Sequence, residues 1–237
     1  MTNRSLQVLL RAQKLTKRFG GLAAVNDVSL DLVRGQIHAV IGPNGAGKST
    51  LTNLLSGDLQ LTSGSLMLGD QDITGWSMER IARHGLGRSF QKTNVFLPLS
   101  VFENVRLAAH FDLDRTKQAI RSAKLEHQTH TIASNMSHGE QRQLEIAMCL
   151  ATHPTVLVLD EPLAGMGVAE AERMIELLHS LKAEHAILLV EHDMDAVFAL
   201  ADVLTVMVDG RVIATGTPAA IRADASVQAA YLGEEHE

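Results

Sequence analysis

A single cysteine in 237 residues rules out an intramolecular disulfide framework. Cys149 sits inside an apolar helical run, where a core thiol in a reducing compartment is expected. Long hydrophobic runs are missing too. A run such as AILLV at Ala186–Val190 is far below the roughly 18–20 apolar residues a spanning helix needs, so the protein is expected to be soluble or to reach a membrane only through a partner. The opening residues MTNRSLQVLLRAQK contain no extended apolar core and no small-residue cleavage site, so no secretory signal is expected. There is no basic excess either: 21 Lys and Arg face 27 Asp and Glu for a net charge of -6, which argues against a nucleic-acid partner. With no Pro/Gly/Ser-rich linker, low-complexity tract or solenoid repeat, residues 1–237 read as one continuous domain, long enough for a large α/β core.

Two kinds of apolar pattern are present. VSLDL at Val28–Leu32 alternates, as a half-buried strand should, and SLMLGDQDI reads as a strand followed by a turn. IHAVI (Ile37–Ile41), VLVL (Val156–Leu159) and ILLV (Ile187–Val190) are instead continuously apolar, which suits a parallel sheet covered on both faces. Between the last two, Met174, Leu177, Leu178 and Leu181 follow the spacing of an amphipathic helix and complete a βαβ unit. The stretch from Val105 to Asn135 is polar and helical in composition with few strong apolar anchors, and a small, more mobile helical lobe is expected there.

The nonapeptide GPNGAGKST (Gly42, Pro43, Asn44, Gly45, Ala46, Gly47, Lys48, Ser49, Thr50) fits G-x-x-x-x-G-K-[ST] directly after a buried strand and before a helix start. Its glycines let successive backbone N–H groups turn onto phosphate oxygens, Lys48 adds a point charge and Ser49 offers a hydroxyl to Mg²⁺. Asp160 ends a buried strand, where an ionised carboxylate needs a cation or strong donors, and Mg²⁺ held through water would supply one. Glu161 follows on the other side, placed to align or deprotonate a water at a γ-phosphate. His192 emerges after ILLV at the same sheet edge, where open α/β sheets bind ligands and where a γ-phosphate contact would lie. Gln91, in GRSFQK, is either an ordinary loop residue or a Mg²⁺ or water contact.

One further cluster, MSHGE at the head of NMSHGEQRQLEIAMCL, reads by itself as a capping box in which Ser137 and Glu140 satisfy orphan N–H groups at a helix start.

Taken together these motifs resemble the ATP-binding subunits of ABC transporters over nearly the whole chain. The resemblance implies a P-loop ABC ATPase fold: a mainly parallel core sheet, an antiparallel β subdomain and a small helical lobe inserted at approximately 92–152. It implies ATP and Mg²⁺ as cofactors, with GPNGAGKST as the Walker A motif, Asp160 and Glu161 as the Walker B pair, Gln91 as the Q-loop residue and His192 as the H-loop residue, so that Mg²⁺ would fall to Ser49, Gln91 and Asp160. Phe19 in TKRFGG matches the aromatic position that stacks on adenine, a buried core Phe being the alternative. MSHGE stands where the family has L-S-G-G-Q, so two cassettes would meet head to tail, with Ser137 and Gly139 of one facing the γ-phosphate held by the other. His138 and Glu140 depart from that signature, and Gly167 replaces the usual D-loop Asp; Glu140 is expected to face away from the nucleotide. The runs HGLGRSFQKTNVFLPLSVFENV, EPLAGMG and VEHDM and the ending resemble subunits that energise branched-chain amino-acid importers and related amide and urea systems. Lipopolysaccharide-extracting relatives share the YLGE ending, and ABC ATPases that act as mechanical clamps are a third possibility. The expected partners are a second ATPase subunit, the same or paralogous, and transmembrane permease subunits holding the chain at the cytoplasmic face of the membrane. Val95 to Phe102 would receive a permease helix, with Phe96 and Leu97 exposed beside Pro98 and Leu99 and Phe102 packed inward.

Overall fold

The computed structural model describes residues 7–91 and 93–232, the last three of these by their backbone alone. Residues 1–6, Lys92 and the YLGE side chains therefore lie outside the described residues.

The chain opens with a long hairpin, β1 (Val8–Phe19) and β2 (Leu22–Val33), followed by β3 (Ile37–Ile41) and α1 (Lys48–Leu55). Next come β4 (Ser63–Leu68), β5 (Gln71–Asp72), α2 (Met78–Arg83) and β6 (Leu86–Arg88). Three helices, α3 (Val101–Ala108), α4 (Leu113–Ser122) and α5 (His138–Leu150), precede β7 (Val156–Asp160), α6 (Val168–Leu181) and β8 (Ala186–Val190). The last part holds α7 (Met194–Leu200), β9 (Val203–Val208), β10 (Arg211–Gly216), α8 (Pro218–Ala223) and α9 (Ala225–Leu232).

Six strands form one sheet in the order β10-β9-β3-β8-β7-β6, parallel except for β10 at the edge. A second sheet, β2-β1-β4-β5, is antiparallel throughout. β3, β7 and β8 are buried on both faces, and their alternate residues enter different cores. Ile37, Ala39, Leu157, Leu159, Ile187 and Leu189 pack against α3 to α7, whereas Val40, Val156, Val158, Leu188 and Val190 pack against α1 and the antiparallel sheet. In β2, Val28, Leu30 and Leu32 are buried while Ser29 and Asp31 are exposed, so the second sheet covers a core with one face only.

The helical lobe is better anchored than its composition suggests. Val105, Ala109, Ala119, Ile120, Ala123, Leu125 and Ala133 are all buried in the cluster that contains β3 and β7. Four of these seven are alanines, which weigh little in a hydropathy pattern yet let helices approach closely. The buried Asn104 side chain then pins the preceding loop: its Nδ2 donates to the carbonyls of Phe96 (3.0 Å), Leu99 (3.2 Å) and Ser100 (3.0 Å), and its Oδ1 accepts from the Phe96 N–H at 2.8 Å. Phe96 and Leu97 are left 54% and 47% exposed, while Phe102 packs against the core. Cys149 is half-buried; its thiol donates to the Arg88 carbonyl at 3.2 Å, and burial, helped by the neighbouring Glu145 carboxylate, pushes it up to about 12.

Candidate functional site

Because β3, β6, β7 and β8 run parallel, the segments leaving their carboxyl ends converge on one edge of the sheet. The β3–α1 loop wraps back on itself there. Gly42 has φ 153° and Gly47 φ 97°, and a Cβ would overlap the Met207 carbonyl oxygen at the first and the Ala24 carbonyl oxygen at the second. Only glycine lets the backbone turn this tightly against its neighbours. Ala46 is buried, Asn44, Gly45 and Ser49 are exposed, and Pro43 and Thr50 are intermediate. Helix α1 starts at Gly47 with no side-chain cap, so its first N–H groups are presented outward. The Lys48 ammonium donates to the carbonyls of Gly42 at 2.6 Å and Pro43 at 2.9 Å, folding its charge over the loop.

At the end of β7 the Asp160 carboxylate is 6% exposed. Burial pushes its carboxyl up, with Glu161 adding to the effect and Arg88, Arg142 and Lys48 opposing it. Glu161 has φ 49°, a left-handed conformation that costs a β-carbon-bearing residue on the order of 1–3 kcal/mol, and its N–H is held by the Val190 carbonyl at 2.8 Å. Its carboxylate lies between two sequence-predicted partners, 3.4 Å from Gln91 Nε2 and 3.8 Å from His192 Nδ1. Gln91, Glu161 and His192 therefore form one cluster although they come from three segments.

Several residues that hold this cluster were not singled out in the sequence. Glu191, 1% exposed, accepts from the Leu163 N–H at 2.9 Å and the His192 N–H at 3.3 Å, and burial pushes its carboxyl up. It follows an apolar run just as Asp160 does, which was the available signal. Arg142 and Glu145, buried on α5 and paired at 3.1 Å, grip the loop after β6: Arg142 donates to the carbonyls of Phe90 (2.5 Å) and Gln91, and Glu145 accepts from the Phe90 N–H at 3.3 Å. Burial raises the Glu145 carboxyl, opposed by that N–H and by Arg142. Arg88 donates to Ser56 Oγ at 2.6 Å and Asn53 Oδ1 at 2.5 Å and lies over the Phe90 ring at 4.7 Å, tying the same loop to α1. Nothing in an i, i+3 Arg–Glu spacing separates such a clamp from a solvated pair.

The start of α5 is built differently. Ser137 is its N-cap and closes a capping box: the Glu140 N–H donates to Ser137 Oγ at 3.3 Å, and Glu140 Oε2 accepts from the Ser137 N–H at 2.8 Å. Glu140 Oε1 also accepts from Gln128 Nε2 at 2.5 Å, so this carboxylate is folded back toward the lobe. Among the described residues, neither Ser137 nor Gly139 is hydrogen-bonded to the Gln91, Glu161 and His192 side chains or to the side chain of Lys48. Phe19, at the end of β1, is 51% exposed with Lys17 Nζ 5.2 Å from its ring centroid; it is a surface aromatic, not a core one.

This donor set fits a nucleoside triphosphate with Mg²⁺. The glycine cradle and uncapped N–H groups suit phosphates, and the buried Asp160 carboxylate at the same sheet edge suits a cation that otherwise relies on phosphates and water. Among the described residues no group of three or more His, Cys, Asp or Glu forms an all-protein metal cage.

Comparison with known proteins agrees with this reading of the fold. The ABC transporter family profile matches residues 25–164, and that of the branched-chain amino acid ATP-binding cassette transporter matches residues 211–237. The chain is 39% identical to the high-affinity branched-chain amino acid transport ATP-binding protein LivG of Escherichia coli (strain K12), over 96% of this chain and 99% of that protein. It is 33% identical to the lipopolysaccharide export system ATP-binding protein LptB of the same organism, over 95% and 98%. Among solved structures, the ADP conformation of MJ1267, an ATP-binding cassette of an ABC transporter, superposes with a TM-score of 0.88 at 28% identity, covering 96% of this chain and 100% of that one. The chain belongs to the ABC transporter family and is one of its ATP-binding cassettes, an ATPase with a mainly parallel core sheet, an antiparallel β subdomain and a helical lobe.

Proposed function

We propose that this cassette hydrolyses ATP in a head-to-tail pair and powers solute import through transmembrane permease subunits, the solute being a branched-chain amino acid or a related amide or urea compound. The observation that carries the catalytic part is the Glu161 carboxylate set between Gln91 and His192 at the sheet edge that also bears the P-loop. In this reading the residues from Gly42 to Thr50 bind the phosphates, and Lys48 exchanges the Gly42 and Pro43 carbonyls for phosphate oxygens. Phe19 stacks on adenine. Ser49, Gln91 and Asp160 would hold Mg²⁺, which would supply charge neutralisation of the phosphates when bound. Glu161 orients and deprotonates the attacking water, His192 contacts the γ-phosphate, and Ser137 and Gly139 complete the site of the second cassette.

The solute assignment draws on the identity to LivG and on the profile match at 211–237. The lower identity to LptB leaves lipopolysaccharide extraction as the second reading. Among the described residues no helix is long and apolar enough to cross a membrane, which is compatible with a peripheral subunit on the cytoplasmic face held by permeases. Phe96 and Leu97, exposed side by side next to Pro98, would make that contact.

The test is Glu161→Gln. Nucleotide binding should stay near wild type while turnover falls by about 10²–10⁴, the usual contribution of a positioned general base. The variant should accumulate as an ATP-bound dimer in sedimentation. Wild-type turnover, or a monomer at saturating MgATP, would remove Glu161 from this role. Co-expression with candidate permeases should carry the chain into the membrane fraction, and ATPase activity of that complex should rise with branched-chain amino acids rather than with lipopolysaccharide.

A further inference from the structure

Ser137 Oγ donates a hydrogen bond of 2.6 Å to Glu170 Oε1, 33 residues later in the chain at the start of α6. The carboxylate also lies over the first turn of α5: a Cβ on Gly139 would come within 2.9 Å of Glu170 Cδ and 3.0 Å of its Oε1. Its other oxygen accepts from the Gly167 N–H at 3.4 Å, which ties it to the segment that leads from Glu161 into α6. An anion thus already sits where this helix would receive one.

We propose that Glu170 is an internal competitor for the signature site, its carboxylate holding, in the separate cassette, the place that the γ-phosphate bound by a second cassette must take. This rests on the head-to-tail reading given above. The reasons are chemical. Ser137 has one hydroxyl proton, and while Glu170 accepts it the phosphate cannot. Two anions at one helix start repel each other, so the carboxylate must swing out before the pair can close. Glu140 is already committed to the Ser137 N–H and to Gln128, so the nearest carboxylate able to leave is Glu170. The Ser137 hydroxyl and the Gly167 N–H hold the Glu170 carboxyl below its ordinary range, in keeping with an ionised occupant. Its departure would also release the Gly167 N–H, loosening the link between Glu161 and α6 as ATP engages. Glu170 thereby sets the ATP concentration at which two cassettes close. A carboxylate that merely capped α6 would not favour the separate cassette, so its removal would leave the pair unchanged or loosen it.

The experiment uses the full chain carrying Glu161→Gln, so that closed pairs persist, and follows dimer formation by sedimentation velocity across a MgATP titration. In that background Glu170→Ala should bring half-maximal dimerisation to roughly fivefold to tenfold lower MgATP, the range expected for losing one charge-assisted hydrogen bond. Glu170→Gln, which keeps the side chain's size but not its charge, should shift the midpoint in the same direction. Binding of a fluorescent ATP analogue to the monomer should equal that of the parent, because the Glu170 contacts run to Ser137, Gly139 and Gly167 rather than to the residues from Gly42 to Thr50. An unchanged or higher midpoint overturns the proposal, and if Glu170→Ala proves unfolded by circular dichroism the Gln variant decides alone. A parent that fails to dimerise would instead sink the head-to-tail reading and this inference with it.

Discussion

Helices α1 and α5 both begin with orphan N–H groups, and the two starts solve the same problem in opposite ways. At α1 the N-cap is Gly47 in a left-handed conformation, no side chain caps the helix, and the nearest charge is the Lys48 ammonium. At α5 the N-cap is Ser137, a capping box is closed, and two carboxylates, Glu140 and Glu170, lie against the first turn. The first start is held open by backbone geometry, which in the function proposed above makes it the phosphate site of a single chain. The second is satisfied from within by its own side chains, and in the proposal above it stabilises the fold until a stronger anion displaces them. A helix start can serve as a cap or as an anion site with the same donors, and what differs is how firmly its own side chains hold them.

The strongest way to break this comparison is to disable the two starts in different chains. Ser137→Arg protein and Lys48→Ala protein should each lose about 10² or more in turnover, yet their mixture should recover part of it, because each heterodimer retains one site with an intact P-loop and an intact signature. ATPase assays on the mixture, with heterodimers demonstrated by differential tagging, check this. No gain over the separate variants would mean that the two starts do not act on one nucleotide.

Glycine substitutions sharpen the same contrast at the level of stability. Gly47→Ala forces a side chain into left-handed backbone against the Ala24 carbonyl and should cost about 2–4 kcal/mol in denaturant unfolding, together with nucleotide binding. At Gly139→Ala the three nearest atoms all belong to the Glu170 side chain, whose carboxylate end can swing aside, and the change should alter stability by less than about 1 kcal/mol while monomer nucleotide binding persists. Equal losses at the two glycines would show that the signature turn is as tightly built as the P-loop.

A smaller effect is expected where the lobe meets solvent. Replacing Phe96 and Leu97 together by Ser should alter unfolding free energy by less than about 1 kcal/mol, because both are about half exposed, yet abolish recovery of the chain in permease complexes. A loss of about 2–4 kcal/mol would mean that they pack as core residues.

The parts legible in the sequence were those with a local signature. Ile37–Ile41, Val156–Leu159 and Ile187–Val190 announced strands covered on both faces because they are apolar at every position but His38, and GPNGAGKST stood out because Lys-Ser after a glycine loop has few other uses. The capping box at Ser137 was equally readable from its i, i+3 spacing. What could not be read depends on contacts between distant segments. Arg142 looks like any charged helix residue until Phe90 and Gln91 are brought beneath it, and Glu170 shows no sign in sequence of lying against Ser137. The alanines of the lobe weigh little in a hydropathy pattern because their contribution comes from close helix approach rather than from large buried side chains.

A last predicted effect separates the two ends by pH. His38, in β3 below the P-loop, is buried, with Nε2 2.8 Å from Thr205 Oγ1 and Nδ1 3.3 Å from the Asp31 carbonyl; burial pushes its pKa below the ordinary 6.5. The unfolded chain therefore binds the extra proton first as pH falls through 6.5, and His38 should withdraw stability below that point, at no more than about 1.4 kcal/mol per pH unit. At the signature end the sign is that of lowered carboxylates. Burial alone would raise Glu140, but the Ser137 N–H, the Gln128 amide and the Ser137 hydroxyl together bring it below 4.5, and Glu170 is lowered chiefly by Ser137. Their stabilisation is present above pH 4.5 and disappears as pH falls through their folded values. Asp160, Glu145 and Glu191 are raised by burial and slope the other way just above the ordinary carboxylate range, so the readout has to be a difference between variants. Denaturant unfolding of wild type and His38→Gln between pH 7.5 and 4 should give curves whose separation changes as pH drops below about 6.5, whereas Glu140→Gln should diverge only near or below about 4.5. If His38→Gln leaves the separation constant through pH 6.5, burial does not lower the His38 pKa in the fold, and the contrast in pH dependence between the sheet end and the signature end is lost.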